Sequence, residues 1–465
     1  MKSFIGSFFL VSTSQVFAKG SGFVLLAILA REVSVTDYGL LTLMLTFASI
    51  LFVVSDFGID TYTIKELVQK KYSRNSILRK AFTGRFILTV IFCLIIGVIS
   101  IAYTDGSSSY VYFVCALAIG SSLSSFSKFL RQPFYAINKF SVDAFGLSFE
   151  RILFLFIGVY LTLSGMGVHS YAIALFVSGI LSVCLCGYLY YREFSTVPFT
   201  WVNLKTVNYI WKAFPIGLNA MFVVLYFRAG QFFIEHYKGG YELGLYGAVS
   251  VFVFGFMTVT STFIQVLFPR IVRMVGEENE ISENIFFLNL FLLALITPFV
   301  TFLAFFSDVF IGVIFGEKFI DASPVLSVMI FQIVFLVVTP IYGSVLRARD
   351  RSFKMVKATG VGLLVNVSLC FLLVEEFGLI GVVVSVLLTE AVVCFLAGWS
   401  VVQKESVKSL LITSIVVIVG SKSAYEYTGS GDGFSVISIL FLWCFLVLYL
   451  MIKRQKMHKL MKALT

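Results

Sequence analysis

Residues 211–247 read WKAFPIGLNAMFVVLYFRAGQFFIEHYKGGYELGLYG. The run 213–227 carries no charge and is long enough to enter a bilayer. Arg228, Gln231 and Glu235 then follow at helical spacing. At about 100° per residue, Arg228 and Glu235 lie roughly 20° apart, and Gln231 falls within about 60° of Arg228. All three therefore share one face. A charge turned toward lipid at mid-bilayer costs about 2.5–3.5 kcal/mol on insertion scales. That face accordingly looks into protein or water. Next, Gly244-Leu-Tyr-Gly247 opens another apolar helix, and its Tyr-Gly pair recurs at Tyr38-Gly39. This recurrence is the first sign that the chain has two halves.

Composition agrees with a chain built for hydrocarbon. Hydrophobic residues make up 59% and charged residues 13%, whereas soluble domains carry about 25% charged residues. The 52 Phe and 21 Tyr suit lipid-facing and interfacial surface. The seven cysteines (Cys93, Cys115, Cys184, Cys186, Cys370, Cys394 and Cys444) all sit in apolar runs and read as small buried hydrophobes. His169, His236 and His458 are far apart. No metal-ligand spacing is visible, and neither a metal nor another cofactor is expected. The segment 8–30 is too long for a signal-peptide core and is interrupted by Lys19, so it reads as a retained span.

The expected fold is all-α and polytopic, with about fourteen transmembrane helices of about 20 residues each. They fall at 8–30, 39–61, 81–103, 110–132, 141–163, 170–191, 213–235, 244–268, 284–306, 323–346, 357–374, 379–401, 410–427 and 434–452. The thirteenth is the weakest, being interrupted by Lys422 and Glu426. With the N-terminus inside, the inner segments hold 26 of the 35 Lys and Arg, the outer loops four and the spans five. That bias places both termini in the cytoplasm. It also explains the net charge of +10 as topology charge, without nucleic acid as a partner.

The segment 192–212 separates spans six and seven and would join two six-helix lobes. An even number of helices per lobe predicts a pseudo-two-fold axis along the membrane normal. The expected division is an N-lobe at 1–200, a C-lobe at 201–403, and two extra spans with a basic tail at 404–465. Internal offsets fit a repeat: Tyr38 and Tyr246 are 208 residues apart, and Ala136 and Ala348 are 212 apart.

Several short motifs resemble one family. They are Tyr38-Gly39; Ser55-Asp56-Phe57-Gly58-Ile59 with Ile64-Lys65-Glu66; Glu242-Leu-Gly244-Leu-Tyr246-Gly247; and Tyr342-Gly343 with Leu346-Arg-Ala348 and Asn366. They resemble the polysaccharide-flippase branch of the multidrug/oligosaccharidyl-lipid/polysaccharide exporter superfamily, and the O-antigen flippases (Wzx type) most. The resemblance covers about residues 1–400. It implies a two-lobed bundle around a central cavity, working by alternating access in the bacterial inner membrane. The implied substrate is an undecaprenyl-pyrophosphate-linked oligosaccharide such as an O-antigen repeat unit of lipopolysaccharide. The implied partners are membrane lipid and a polysaccharide polymerase or chain-length regulator.

A pyrophosphate-linked sugar needs a wet, cationic path. The intramembrane bases Lys19, Arg85, Lys128, Arg151 and Arg228, with Gln231, are the candidate cavity lining. Each base also reads as snorkelling or as one half of an ion pair. For Arg85 and Lys128, near span ends, snorkelling is the favoured reading; for Lys19 and Arg228, the cavity. The acids Asp56, Glu150, Glu235 and Glu390 are candidates for ion or proton coupling. Asp56 and Asp60 could pair with Lys65. Glu390 reads as a proton carrier or as the partner of a base on another helix. Glu150 and Arg151 point about 100° apart and are not expected to neutralise one another. No Gly-x-x-x-x-Gly-Lys-Ser/Thr run is present for nucleotide phosphates. No enzymatic activity is expected, and no outer loop is long enough for a glycosyltransferase. The alternative is an ion-coupled drug or small-molecule antiporter of the related multidrug-exporter branch. Such a carrier needs acids in excess.

Overall fold

The computed structural model describes residues 2–69, 74–103, 108–137, 139–194, 204–275, 281–349 and 351–401. The expected spans at 410–427 and 434–452, the basic tail, and the expected lobe boundary at 200 lie outside these. Among the described residues every regular element is a helix. The chain divides into two compact units, Met1–Arg228 and Ala229–Thr465.

The first unit holds α1 (Lys2–Glu32), α2 (Val35–Asp56), α3 (Ile59–Gln69), α4 (Arg74–Tyr103), α5 (Ser108–Ala136), α6 (Phe140–Leu163) and α7 (His169–Phe194). It also holds the start of α8 (Leu204–Val275). Small residues let these helices approach, since lipid tails give helices no hydrophobic reason to associate. A Cβ on Gly120 of α5 would sit 2.7 Å from the Phe176 backbone N of α7, and one on Gly179 would sit 2.9 Å from Leu123 Cβ. Leu25 of α1 fills the notch left by Gly158 of α6, in a buried cluster with Phe154, Ala174 and Leu175.

The second expected span is broken. Ser34 caps α2 by accepting from the Asp37 backbone N–H at 3.1 Å, which fixes its start. Its end comes at Phe57 (φ 39°) and Gly58 (φ 79°), after which α3 begins. The break is held by contact with α8: a Cβ on Gly58 would lie 2.8 Å from Ala213 O, and one on Gly217 would lie 2.6 Å from the Phe57 carbonyl C. Much of the expected inner segment 62–80 is consequently helical, in α3 and the first turns of α4.

The second unit holds the rest of α8, α9 (Ile281–Phe305), α10 (Ser307–Phe315), a 3-10 helix (Glu317–Ala322), α11 (Ser323–Met329), α12 (Gln332–Ala348) and α13 (Ser352–Val401). The segment 307–322, expected as a plain outer loop, is helical, with α10 bent 73° from α9. Among the described residues six helices are long and apolar enough to cross a membrane, or up to eight if each bent pair is one span. Two of the six run 52 and 50 residues, more than twice the roughly 20 that a bilayer core takes. Both break at a glycine, α8 at Gly239 (φ 82°) and α13 at Gly378 (φ 55°). The two breaks meet, since Lys238 Nζ donates to the Glu375 carbonyl O at 2.8 Å. Nearby, Tyr241 Oη donates to Asp321 Oδ2 at 3.1 Å, and that bond pushes the phenol pKa up.

Several hydroxyl side chains within the helices are satisfied by their own helix, as hydrocarbon favours. Thr42, Thr46, Thr297, Thr301, Ser385 and Thr389 each donate to the carbonyl four residues back.

Candidate functional site

The break between α2 and α3 does more than turn the chain. Asp56 ends one helix and Asp60 lies in the first turn of the next, so both carboxylates sit at the same corner. Asp56 Oδ1 accepts from the Asp60 backbone N–H at 3.2 Å. From α4, Arg85 reaches Asp56 Oδ1 through Nη1 at 3.3 Å and Asp60 Oδ1 through Nε at 4.0 Å. Arg85 Nη2 also donates to Ser125 Oγ of α5. Lys128, one turn on from Ser125, meets Asp60 Oδ2 at 3.3 Å.

Arg85 is 0% exposed, so it does not snorkel; two carboxylates hold it inside instead. Lys128 is 47% exposed and keeps part of its charge at the surface. Asp56 and Asp60 are thus partnered from α4 and α5; the side chain of Lys65, the partner the sequence offered, lies outside the described ones.

A second cluster lies on the other side of α5. Ser125 and Ser127 point about 160° apart around the helix, so the serine-rich stretch serves both clusters. Arg131 is the centre of the second. Its Nε donates to Asp143 Oδ1 at 3.0 Å, its Nη1 donates to Ser127 Oγ at 2.6 Å, and Nη1 stands 3.5 Å from Glu150 Oε2. Ser182 of α7 donates to Glu150 Oε2 at 3.0 Å and shares a 2.5 Å bond with Ser127. Arg151 Nη2 closes on Glu150 Oε1 at 3.5 Å. Adjacent residues diverge at Cβ, but the flexible three-methylene stem of Arg151 brings its guanidinium back, so this pair does form. Gly146 makes the room: a Cβ there would stand 2.7 Å from Arg131 Cδ.

Formal charge cancels in each cluster: two acids meet two bases among Asp56, Asp60, Arg85 and Lys128, and again among Arg131, Asp143, Glu150 and Arg151. Bases match acids in both sites, without the excess of acid that a carrier of cationic drugs needs. Buried ions demand such partners, because an unpaired one costs several kcal/mol.

The Arg151 guanidinium lies 5.7 Å over the Phe154 ring, and Phe154 packs edge-on against Tyr171 with ring centres 5.2 Å apart. Arg228, on the part of α8 that belongs to the first unit, is half-buried.

Of the remaining predicted residues, Gln231, Glu235 and Glu390 belong to the second unit. Gln231 is fully buried, and Glu235 is half-buried further along α8. Glu390 is buried in α13. The same unit also buries Asn289, Gln332 and Asn366. The side chain of Lys19 lies outside the described ones.

Sequence reasoning missed Arg131 and Asp143, having counted Arg131 among interfacial charges that set orientation. The available signal was its position one turn after Ser127, in register with the serine stripe.

A family model described as "Polysaccharide biosynthesis protein" matches residues 5–275. The chain is 23% identical over 397 residues to an uncharacterized membrane protein of Methanocaldococcus jannaschii, covering 77% of this chain and 75% of that one. Among solved structures it resembles the lipid II flippase MurJ in an inward closed conformation, with a TM-score of 0.69 at 15% identity, covering 97% of this chain and all of that one. It also resembles the Vibrio cholerae MATE transporter VcmN, with a TM-score of 0.60 at 12% identity over 90% of this chain. The matched folds are those of flippases and transporters, not of enzymes.

Proposed function

Since the chain belongs to the polysaccharide biosynthesis protein family and carries several helices long and apolar enough to cross a membrane, we propose that it is a flippase for a lipid-linked oligosaccharide. The cargo is an undecaprenyl-pyrophosphate-linked repeat unit of a surface polysaccharide, of the O-antigen class. It passes from the cytoplasmic to the periplasmic leaflet of a bacterial inner membrane by alternating access. Fourteen spans, both termini in the cytoplasm, and two six-helix lobes complete the proposed topology.

One observation supports this reading above the others: Arg151 and Arg228 both belong to the first unit and keep part of their surface open, Arg151 being 25% exposed. A pyrophosphate spreads its charge over several oxygens, and paired guanidinium forks match that geometry. Both arginines are half-buried, unlike the enclosed Arg85 and Arg131. Half-burial leaves them able to trade a protein partner for a ligand. The two neutral clusters on α5 then serve as internal fastenings of the unit. The polymerase and chain-length partners follow from the cargo.

The test is complementation. In a strain lacking the gene, Arg151→Gln or Arg228→Gln chains should reach the membrane yet fail to restore surface glycan. Lipid-linked repeat units should accumulate on the inner leaflet. Full glycan display by both variants would remove the assignment. The antiporter reading has the buried carboxyl of Glu390 on its side. It predicts drug resistance that Glu390→Gln abolishes, with glycan display untouched.

A further inference from the structure

A cleft of 410 Å³ opens in the first unit between α3, α4 and the start of α8, and no member of the two charge clusters lines it. Its walls are Tyr62, Glu66, Lys80, Asn208, Tyr209 and Lys212, together with Ser76 and Ile77. The floor is rigid and apolar. Tyr62 and Tyr209 meet edge-on with ring centres 4.9 Å apart, over a buried cluster that includes Ile59, Ile77, Phe129 and Ala213. Tyr209 Oη is tied to Thr63 Oγ1 at 2.9 Å. Tyr62 Oη donates to Glu66 Oε1 at 2.9 Å, and Glu66 is only 7% exposed. Lysines on two different helices stand at the rim. Trp211, next to Lys212, is exposed at 63%, as suits an aromatic residue at a membrane–water interface.

We propose that this cleft binds the headgroup of an anionic glycerophospholipid, with phosphatidylglycerol as the type. Three features select that class. Basic pockets between spans at the Lys/Arg-rich side of a membrane collect lipid phosphates. Lys80, Lys212 and Glu66 sum to a single positive charge, which one phosphodiester neutralises. A pyrophosphate carries at least one more negative charge and meets the Glu66 carboxylate unfavourably, so the cleft is distinct from a path for the proposed cargo. Ionised Glu66 can only accept hydrogen bonds, and the glycerol hydroxyls supply donors. The choline headgroup has none. The apolar floor then takes the glycerol backbone.

The experiment uses the full chain in phosphatidylcholine nanodiscs doped with phosphatidylglycerol, with lipid retention read by native mass spectrometry. Phosphatidylglycerol should be retained in preference to phosphatidylcholine, and K80Q/K212Q should lower that preference by about thirtyfold. Lys212 is exposed and Lys80 half-buried, and membrane insertion and monodispersity of the double variant are measured alongside. Glu66→Gln raises the site charge by one and should shift the preference several-fold toward phosphatidic acid, whose headgroup is dianionic. Equal retention of the two lipids, or retention that ignores the lysines, overturns the proposal. So does an unchanged phosphatidylglycerol-to-phosphatidic-acid ratio in Glu66→Gln. Displacement of the lipid by millimolar inorganic phosphate with the same lysine dependence assigns the site to free phosphate instead, and also overturns it.

Discussion

Replacing Arg131 by Met should destabilise the first unit more than removing any surface charge. The side chains of Arg131, Asp143 and Glu150 are 3%, 4% and 2% exposed. Met keeps much of the volume but strips the charge that sits between two carboxylates. Breaking a buried pair from one side costs about 3–5 kcal/mol, because a desolvated ion is left behind. Lys139 and Glu193 form the control. Their contact is shorter, at 2.7 Å, yet the side chains are 50% and 31% exposed. An exposed pair is worth about 0–1 kcal/mol, so Lys139→Met should do little. If the 228 residues of the unit melt together, the unfolding entropy is about 0.5 kcal/mol/K. Arg131→Met then lowers Tm by about 6–10 °C and Lys139→Met by less than about 2 °C. The assay is thermal unfolding in detergent followed by size-exclusion fluorescence. Adding Asp143→Asn to Arg131→Met should recover part of the loss. Equal shifts for the two single variants, or no recovery in the double, would refute the claim that burial and not distance sets the cost.

Other substitutions follow from glycine contacts. Gly58→Ala puts a Cβ at positive φ and 2.8 Å from two backbone atoms of α8; a loss above about 2 kcal/mol and poor monodisperse yield are expected. Gly239→Ala meets no atom within 4 Å, so it isolates the cost of a glycine-only backbone conformation, about 1–3 kcal/mol in Tm measurements. Gly146→Ala presses on Arg131 Cδ and should cost about 1–3 kcal/mol. That cost should shrink in an Arg131→Met background, and additive losses would show that the two sites are not coupled.

The residue list alone determined a great deal here. A chain that is 59% hydrophobic and 13% charged must lie in hydrocarbon, and hydrocarbon admits few folds besides helix bundles. The Ser55–Ile59 motif was visible, although neither the break at Phe57-Gly58, inside an expected span at 39–61, nor its role as a corner holding two carboxylates was. Arg85, Lys128, Glu150 and Arg151 were legible as charges within spans, because each interrupts an apolar run. Their partners were not legible. In helices apolar on nearly every face, periodicity does not say which side meets which neighbour. Tertiary structure decided that, through the closeness that Gly58 and Gly217, Gly120 and Gly179, and Gly146 allow. Only helices packed that tightly bring Arg131 onto Asp143 and Arg85 onto Asp56 and Asp60. A desolvated charge must be met by whatever opposite charge packing delivers, and packing in a bilayer is set by small residues rather than by an apolar stripe.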